Sequence, residues 1–139
     1  MNGVIAVRSL LVADTGVTVL VPAVRIVAGM LPQGTLLPAI SLMSVSSTDR
    51  NIAAPGPKRR VTERVQVTVL AASYPAAKAI IRAVRAAAAD RMPAIDGLTD
   101  VTAHTDSAGP DFLDEETGIH MQTQDFRVSF NEARLASPS

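Results

Sequence analysis

The residues best equipped for chemistry are few: His104 and His120, with Asp106, Asp111 and Asp114 near them in the chain. A histidine beside a carboxylate can move a proton, and histidines grouped with carboxylates can hold a metal. The spacing favours neither use. The two histidines fall on separate predicted strands, outside any metal-ligand motif, and the aspartates lack the periodicity of a calcium loop. The chain has no cysteine, which excludes a thiolate nucleophile, a disulfide and any Cys-ligated zinc or iron–sulfur centre. A Gly-rich phosphate loop and a serine on a nucleophile elbow are both missing from the sequence. No catalytic residue, cofactor or metal site is therefore expected, and ordinary surface histidines account for His104 and His120.

Composition points the same way. The chain has 139 residues, the length of one domain, and 47% of them are apolar, so a single core is affordable and wholesale disorder is not expected. Aromatics make up only 3%, which argues against an aromatic-walled ligand pocket and leaves the core to Val, Ile, Leu, Ala and Met. Thirteen basic residues balance thirteen acidic ones, so there is no basic excess for wrapping nucleic acid and little self-repulsion to oppose association. The apolar stretch Val4–Val12 is broken by Arg8, and Val17–Met30 contains Pro22 and Arg25. Neither reads as a membrane span or a targeting signal, and a soluble protein is expected.

The elements follow from periodicity. Asn2–Asp14 reads as a helix on the spacing of Val4, Val7 and Leu11, with Gly16 as its stop. Val17–Val21 reads as a helical turn or an extended piece, and Arg25–Val27 is β-prone. Leu31–Gly34 reads as a turn, and Pro38–Ser46 as a strand. Ser46–Lys58, rich in Ser, Asn, Pro and Gly, reads as a long loop. Arg60–Leu70 alternates cleanly, placing Val61, Val65, Val67 and Val69 on one face; Glu63, the one charge there, is expected at an exposed end. Ser73 is a good N-cap for a helix from Tyr74 to about Arg91, whose apolar stripe is Ala77, Ile80, Ile81, Val84 and Ala88. Pro93 ends it, and Asp96-Gly97 turns the chain into a strand, Leu98–Thr105. After a turn at Ser107–Pro110, Phe112–Glu116 and Ile119–Phe130 read as a hairpin. Ile119 and Met121 are odd-numbered while Phe126, Val128 and Phe130 are even, so a bulge is expected near Thr123–Asp125. The class is α+β: a mainly antiparallel sheet with two helices packed on one face. Residues 1–132 are expected to form a single domain, and residues 133–139 a frayed tail.

Several local sequences, in this order, carry a resemblance. They are Arg25-Ile26-Val27-Ala28-Gly29, Pro32-Gln33-Gly34 and Leu37-Pro38, then Arg64-Val65-Gln66-Val67-Thr68-Val69. Ala71-Ala72-Ser73-Tyr74-Pro75-Ala76-Ala77 follows, then Glu115-Glu116-Thr117-Gly118-Ile119-His120 and Asp125-Phe126-Arg127-Val128. Each piece alone is weak, and their ordered combination over about residues 4–132 is the signal. The chain resembles the tail completion (tail terminator) proteins of siphophages, also found in gene-transfer particles. Where that family often has an aromatic residue after Leu-Pro, Ala39-Ile40 stands here.

The resemblance implies a structural virion protein, made in the host cytoplasm and placed at the head-proximal end of the tail. It implies a ring of self-associated copies, typically a hexamer, that ends growth of the tail-tube protein and meets the head connector or stopper. DNA passes through the lumen unread, and no membrane is involved. On that reading Asn51 and Pro55 belong to a loop that orders on assembly, or to a plain hairpin loop. Lys58, Arg59 and Arg60 touch DNA phosphate or a neighbour's acidic patch, or are simply solvated. Asp111, Asp114, Glu115 and Glu116 line a lumen, pair with that basic cluster across an interface, or keep a hairpin edge soluble. Two alternatives remain at this point: another head–tail joining protein such as a stopper, against which the strong Ser73–Arg91 helix argues, and a small cellular α+β binding domain.

Overall fold

The computed structural model describes residues 2–50 and 56–134. Helix α1 (Asn2–Ala13) buries Val4, Val7 and Leu11, the stripe expected from their spacing, together with Gly3 and Ala6. A single turn, α2 (Thr15–Thr18), follows; the Asp14 side chain caps it by accepting from the Val17 amide. A 3-10 turn at Ala23–Arg25 leads into β1 (Ile26–Ala28). The remaining elements are β2 (Ala39–Arg50), β3 (Lys58–Ala71), α3 (Tyr74–Ala88), β4 (Leu98–Ala108), β5 (Phe112–Asp114) and β6 (Ile119–Ala133).

The strands form one sheet in the order β1-β2-β3-β6-β4, with β5 pairing β6 beyond the end of β4. Every pairing is antiparallel except β1 with β2. The class is the expected α+β. β3 is paired along its whole 14 residues with β6, without a break in register. Val61, Val65, Val67 and Val69 face the helices and are buried, as their alternation requires, and Phe126, Val128 and Phe130 of β6 join them. α3 lays Ala77, Ile80, Ile81, Val84, Ala87 and Ala88 against this face. Ser73 is its N-cap, the side chain accepting from the Ala76 amide at 3.3 Å, with Pro75 in the first turn where no amide is needed.

Four expectations are corrected. The helix stops at Ala88, three residues early, because the backbone of Arg91 is taken by the sheet. Its amide donates to Ala103 O (3.1 Å), its carbonyl accepts from Ala103 N (2.8 Å), and the left-handed Asp90 (φ 57°) turns the chain to reach that edge. β2 does not end at Ser46 but continues through Arg50, paired with β3 down to Arg60, so the first five residues of the expected loop, and Lys58 at its end, are strand. Asn51 and Pro55 lie outside the described residues. At the C-terminal end Ala133 closes β6, and Arg134 N donates to Pro57 O (2.9 Å); residues 135–139 of the expected tail lie outside the described residues.

The bulge is also elsewhere. β6 stays in register with β3 through Thr123–Asp125; the extra residue lies in β4, where Thr105 pairs with Phe126 and Ala108 with Gln124. The parity change in β6 is a change of face. Ile119 and Met121 belong to the side away from the helices, where Met121 lies opposite both Leu70 and Phe112.

Glu63 is the fourth correction. It is not at an exposed end but only 2% exposed, under the start of α1. Its Oε1 accepts from the Gly3 amide at 3.2 Å. The first amides of a helix have no partners within it, and the helix dipole favours negative charge there, so a buried carboxylate anchors α1 to β3. Gly3 is required for the approach: a Cβ at that position would lie 2.8 Å from Glu63 Cδ.

Candidate assembly interface

The charged residues singled out from sequence fall at opposite ends of the sheet. Lys58, Arg59 and Arg60 open β3, level with Ala133, Glu132 and Asn131 at the close of β6. Asp111, Asp114, Glu115 and Glu116 surround β5 and the turn into β6, level with the far end of β3. Ile119 to Ala133 is 15 residues of strand, a separation of roughly 45 Å. Within one copy the two clusters cannot meet, and any pairing between them needs two molecules.

The basic cluster is largely engaged within the fold. Arg60 Nη1 donates to Asp100 O (2.7 Å) and to Asn131 Oδ1 (3.3 Å). Arg59 lies 3.8 Å from Asp49, and Lys58 Nζ reaches Thr99 Oγ1 at 3.5 Å. Arg60 thus ties β3 to β4 across β6, and only Lys58 remains mostly given to solvent.

The acidic end divides into an anchored part and a free part. Asp111 accepts from Tyr74 Oη (2.9 Å) and Lys78 Nζ (2.9 Å), which fastens the segment before β5 to the first turns of α3. The Lys78 ammonium and the Tyr74 hydroxyl hold the Asp111 carboxyl below its usual range, and the hydrogen bond to Asp111 raises Lys78 in return. Lys78 also lies 5.2 Å over the Tyr74 ring, whose edge meets His120 with centroids 6.3 Å apart. Asp114 closes the turn, accepting from the Glu116 amide (3.1 Å) through its side chain and from Gly118 N (2.7 Å) through its carbonyl, with Gly118 at φ 72°. Glu115 and Glu116 project into solvent.

The histidines do not converge. His120 packs on Tyr74, while His104 Nδ1 lies 2.8 Å from Asp90 Oδ1 in an exposed pair. Asp106 sits 3.7 Å from both Arg64 and Arg127. Among the described residues no three His, Asp or Glu side chains come close enough to share a metal ion. Nor is any helix among them long and apolar enough to cross a membrane.

Sequence reasoning missed the apolar part of the surface. Ile5, Val19, Leu20 and Met92 are exposed on or after the helices, and the other exposed large apolar residues gather at the two opposite edges of the sheet. Val24, Met30, Leu36, Met43 and Val45 lie around β1 and the free part of β2, while Tyr74, Phe112 and Leu113 lie around β5. The signal was present in Phe112-Leu113, two large apolar residues set among acids, but a strand reading alone assigns them to a core.

A profile of the tail completion protein gp17 family matches residues 5–130. The chain belongs to that family. Among solved structures, a chain from the virion of a native gene transfer agent (GTA) particle has the same fold, with a TM-score of 0.71 at 21% identity, over 92% of this chain and 93% of that one. No curated protein matches the sequence. Membership of the tail completion family makes this chain a structural component of tailed particles, and the family is not a class of enzymes. The family match runs from α1 to the last core residue of β6, Phe130, so it covers both sheet edges and the acidic hairpin.

Proposed function

We propose that this chain is a ring subunit at the head-proximal end of the tail. In this reading copies of the chain, six by the family resemblance, close a ring on the last layer of tail-tube protein and end its growth. The opposite side of the ring meets the head connector or stopper, and DNA passes through the lumen without being read. Residues 1–132 act as one unit in this assembly.

The observation that carries the reading is the chain-long match to the tail completion family. The surface supports it. A closed ring needs a heterologous contact, with a different patch on each side of the subunit, and two different axial surfaces. Here most of the exposed large apolar residues lie at two opposite sheet edges and the charge clusters at two opposite sheet ends. Lys58, Arg59 and Arg60 lie at one axial surface in this reading, and Asp111, Asp114, Glu115 and Glu116 at the other.

Removing the gene and imaging the particles by negative-stain electron microscopy tests it. Overlong tails, or tails detached from full heads, are the expected outcome. Particles indistinguishable from wild type would overturn the reading.

A further inference from the structure

The part of β2 beyond Leu42 is an open sheet edge. β1 covers only Ile40–Leu42, and its pairing ends where Gly29 N donates to Leu42 O (2.8 Å). Among the described residues no strand pairs with Met43–Arg50 on that side. Open edges invite strand addition, and proteins that stay monomeric usually guard them with charge or proline. Here the edge begins with two exposed apolar residues, Met43 (48% exposed) and Val45 (51%), the latter the extra residue of a bulge between Ser44 and Ser46. On the helix side, where β1 stops, lies an apolar groove of about 330 Å³ lined by Val4, Ala28, Gly29, Leu42, Met43 and Ser44.

At the opposite sheet edge β5 presents a matching pair. Successive strand residues point to opposite faces. Leu113, opposite His120, points to the helix side, and Phe112, opposite Met121, points away from it. Both are exposed, Phe112 by 58% and Leu113 by 45%. Charge agrees with a contact between the two edges. From residue 2 to residue 44 the charged groups are Arg8, Asp14 and Arg25, a net positive set. Asp111 is matched by Lys78, but Asp114, Glu115 and Glu116 follow at β5 and its turn with no base among them, a net negative set.

We propose that β5 of one copy seats on the free edge of β2 of the next, Leu113 entering the groove beside Val4 and Leu42 while Phe112 lies over Met43 on the other face. This rests on the ring reading and specifies its subunit contact. Because the two edges differ, the contact is head-to-tail and each copy offers one donor and one acceptor, the condition for a chain of copies that closes. Strand addition of this kind takes affinity from main-chain hydrogen bonds and specificity from alternate side chains.

The absence of cysteine from the chain makes a clean test possible. Met43→Cys combined with Phe112→Cys places thiols three strand spacings apart and four residues offset within one copy, roughly 19 Å. A disulfide needs Cα atoms within about 7 Å, so only neighbouring copies can be bridged. After mild oxidation of assembled particles, the double variant is expected to give a covalent ladder ending at the ring, and each single variant only monomer. Rings seen by microscopy without any cross-linked ladder would overturn the contact and leave the ring reading standing. A single copy per tail, counted by mass, would overturn both. Leu113→Asp checks the apolar half independently. It is expected to weaken association about tenfold with an unchanged thermal melt, and unchanged association would also overturn the contact.

Discussion

The helix-covered face of the sheet carries Val61, Val65, Val67 and Val69 from β3 with Phe126, Val128 and Phe130 from β6. The same two strands present Thr62, Arg64, Gln66 and Thr68, with Asp125, Arg127 and Ser129, on the other face. The first set makes no side-chain hydrogen bonds and is held by burial. The second is held by specific partners: Thr62 with Ser129 at 3.0 Å, and Arg64 Nη2 with Asp125 Oδ2 at 2.6 Å. Burial already forbids a one-residue slip, which would turn the valines to solvent, and the polar pairs add partner-by-partner matching along the strands. Stability comes mainly from one face, and the other adds matched partners to the register that burial sets.

The strongest way to break that division is a charge on the buried face. Val67→Asp puts an unpaired carboxylate where exposure is nil, and the cooperative unfolding transition is expected to be lost altogether in thermal melts followed by circular dichroism. A folded Val67→Asp protein would show that the buried face is not the source of stability.

A smaller effect probes the one place where the buried face uses a charge. Gly3→Ala forces a methyl within 2.8 Å of Glu63 Cδ, so the carboxylate must shift from the Gly3 amide or α1 must lift. A loss of about 1–3 kcal/mol is expected from chemical denaturation, in line with overpacking elsewhere. Unchanged stability would mean that the start of α1 is loose.

The smallest effect is expected at the acidic end, where Asp111 joins Tyr74 and Lys78 in the open. Its lowered carboxyl pKa means that the contact contributes above the ordinary carboxylate range and is lost as pH falls through the folded-state value. The raised Lys78 pKa means that the contribution is lost again only as pH rises through its own folded-state value, above the ordinary lysine range. The hairpin is thus fastened through neutral pH. Asp111→Asn is expected to speed hydrogen exchange at Phe112 and Leu113 while leaving the global melting temperature nearly unchanged, since exposed pairs contribute little. Equal exchange in both proteins would mean that β5 is held by β6 alone.

What could be read from the chain follows the same division. α1, β3 and α3 were legible because each buries one face, which writes a period into the sequence: Val4, Val7 and Leu11, the odd-numbered valines, and the Ala77–Ala88 stripe. β2 was legible only to Ser46, since Ser47, Thr48, Asp49 and Arg50 are exposed in the structure and an edge strand of that kind has the composition of a loop. Glu63 misled because its partner lies sixty residues away: the helix beginning at Asn2 was legible, but not that β3 runs beneath its first turn. Ile119 and Met121 misled because the far face has an apolar patch of its own, built with Leu70 and Phe112. Of the interface candidates, the acidic group around β5 was found by composition. Its ties to Tyr74 and Lys78, and the apolar edges on either side of the sheet, are products of topology.

The unbroken register of β3 against β6 also has a mechanical meaning. Antiparallel ladder bonds run across the strands, so a force drawing the two ends of the sheet apart loads them side by side in shear and not one after another as in peeling. With 14 residue pairs sharing such a load, the protein is stiffest along its strands, the direction that separates its basic end from its acidic one.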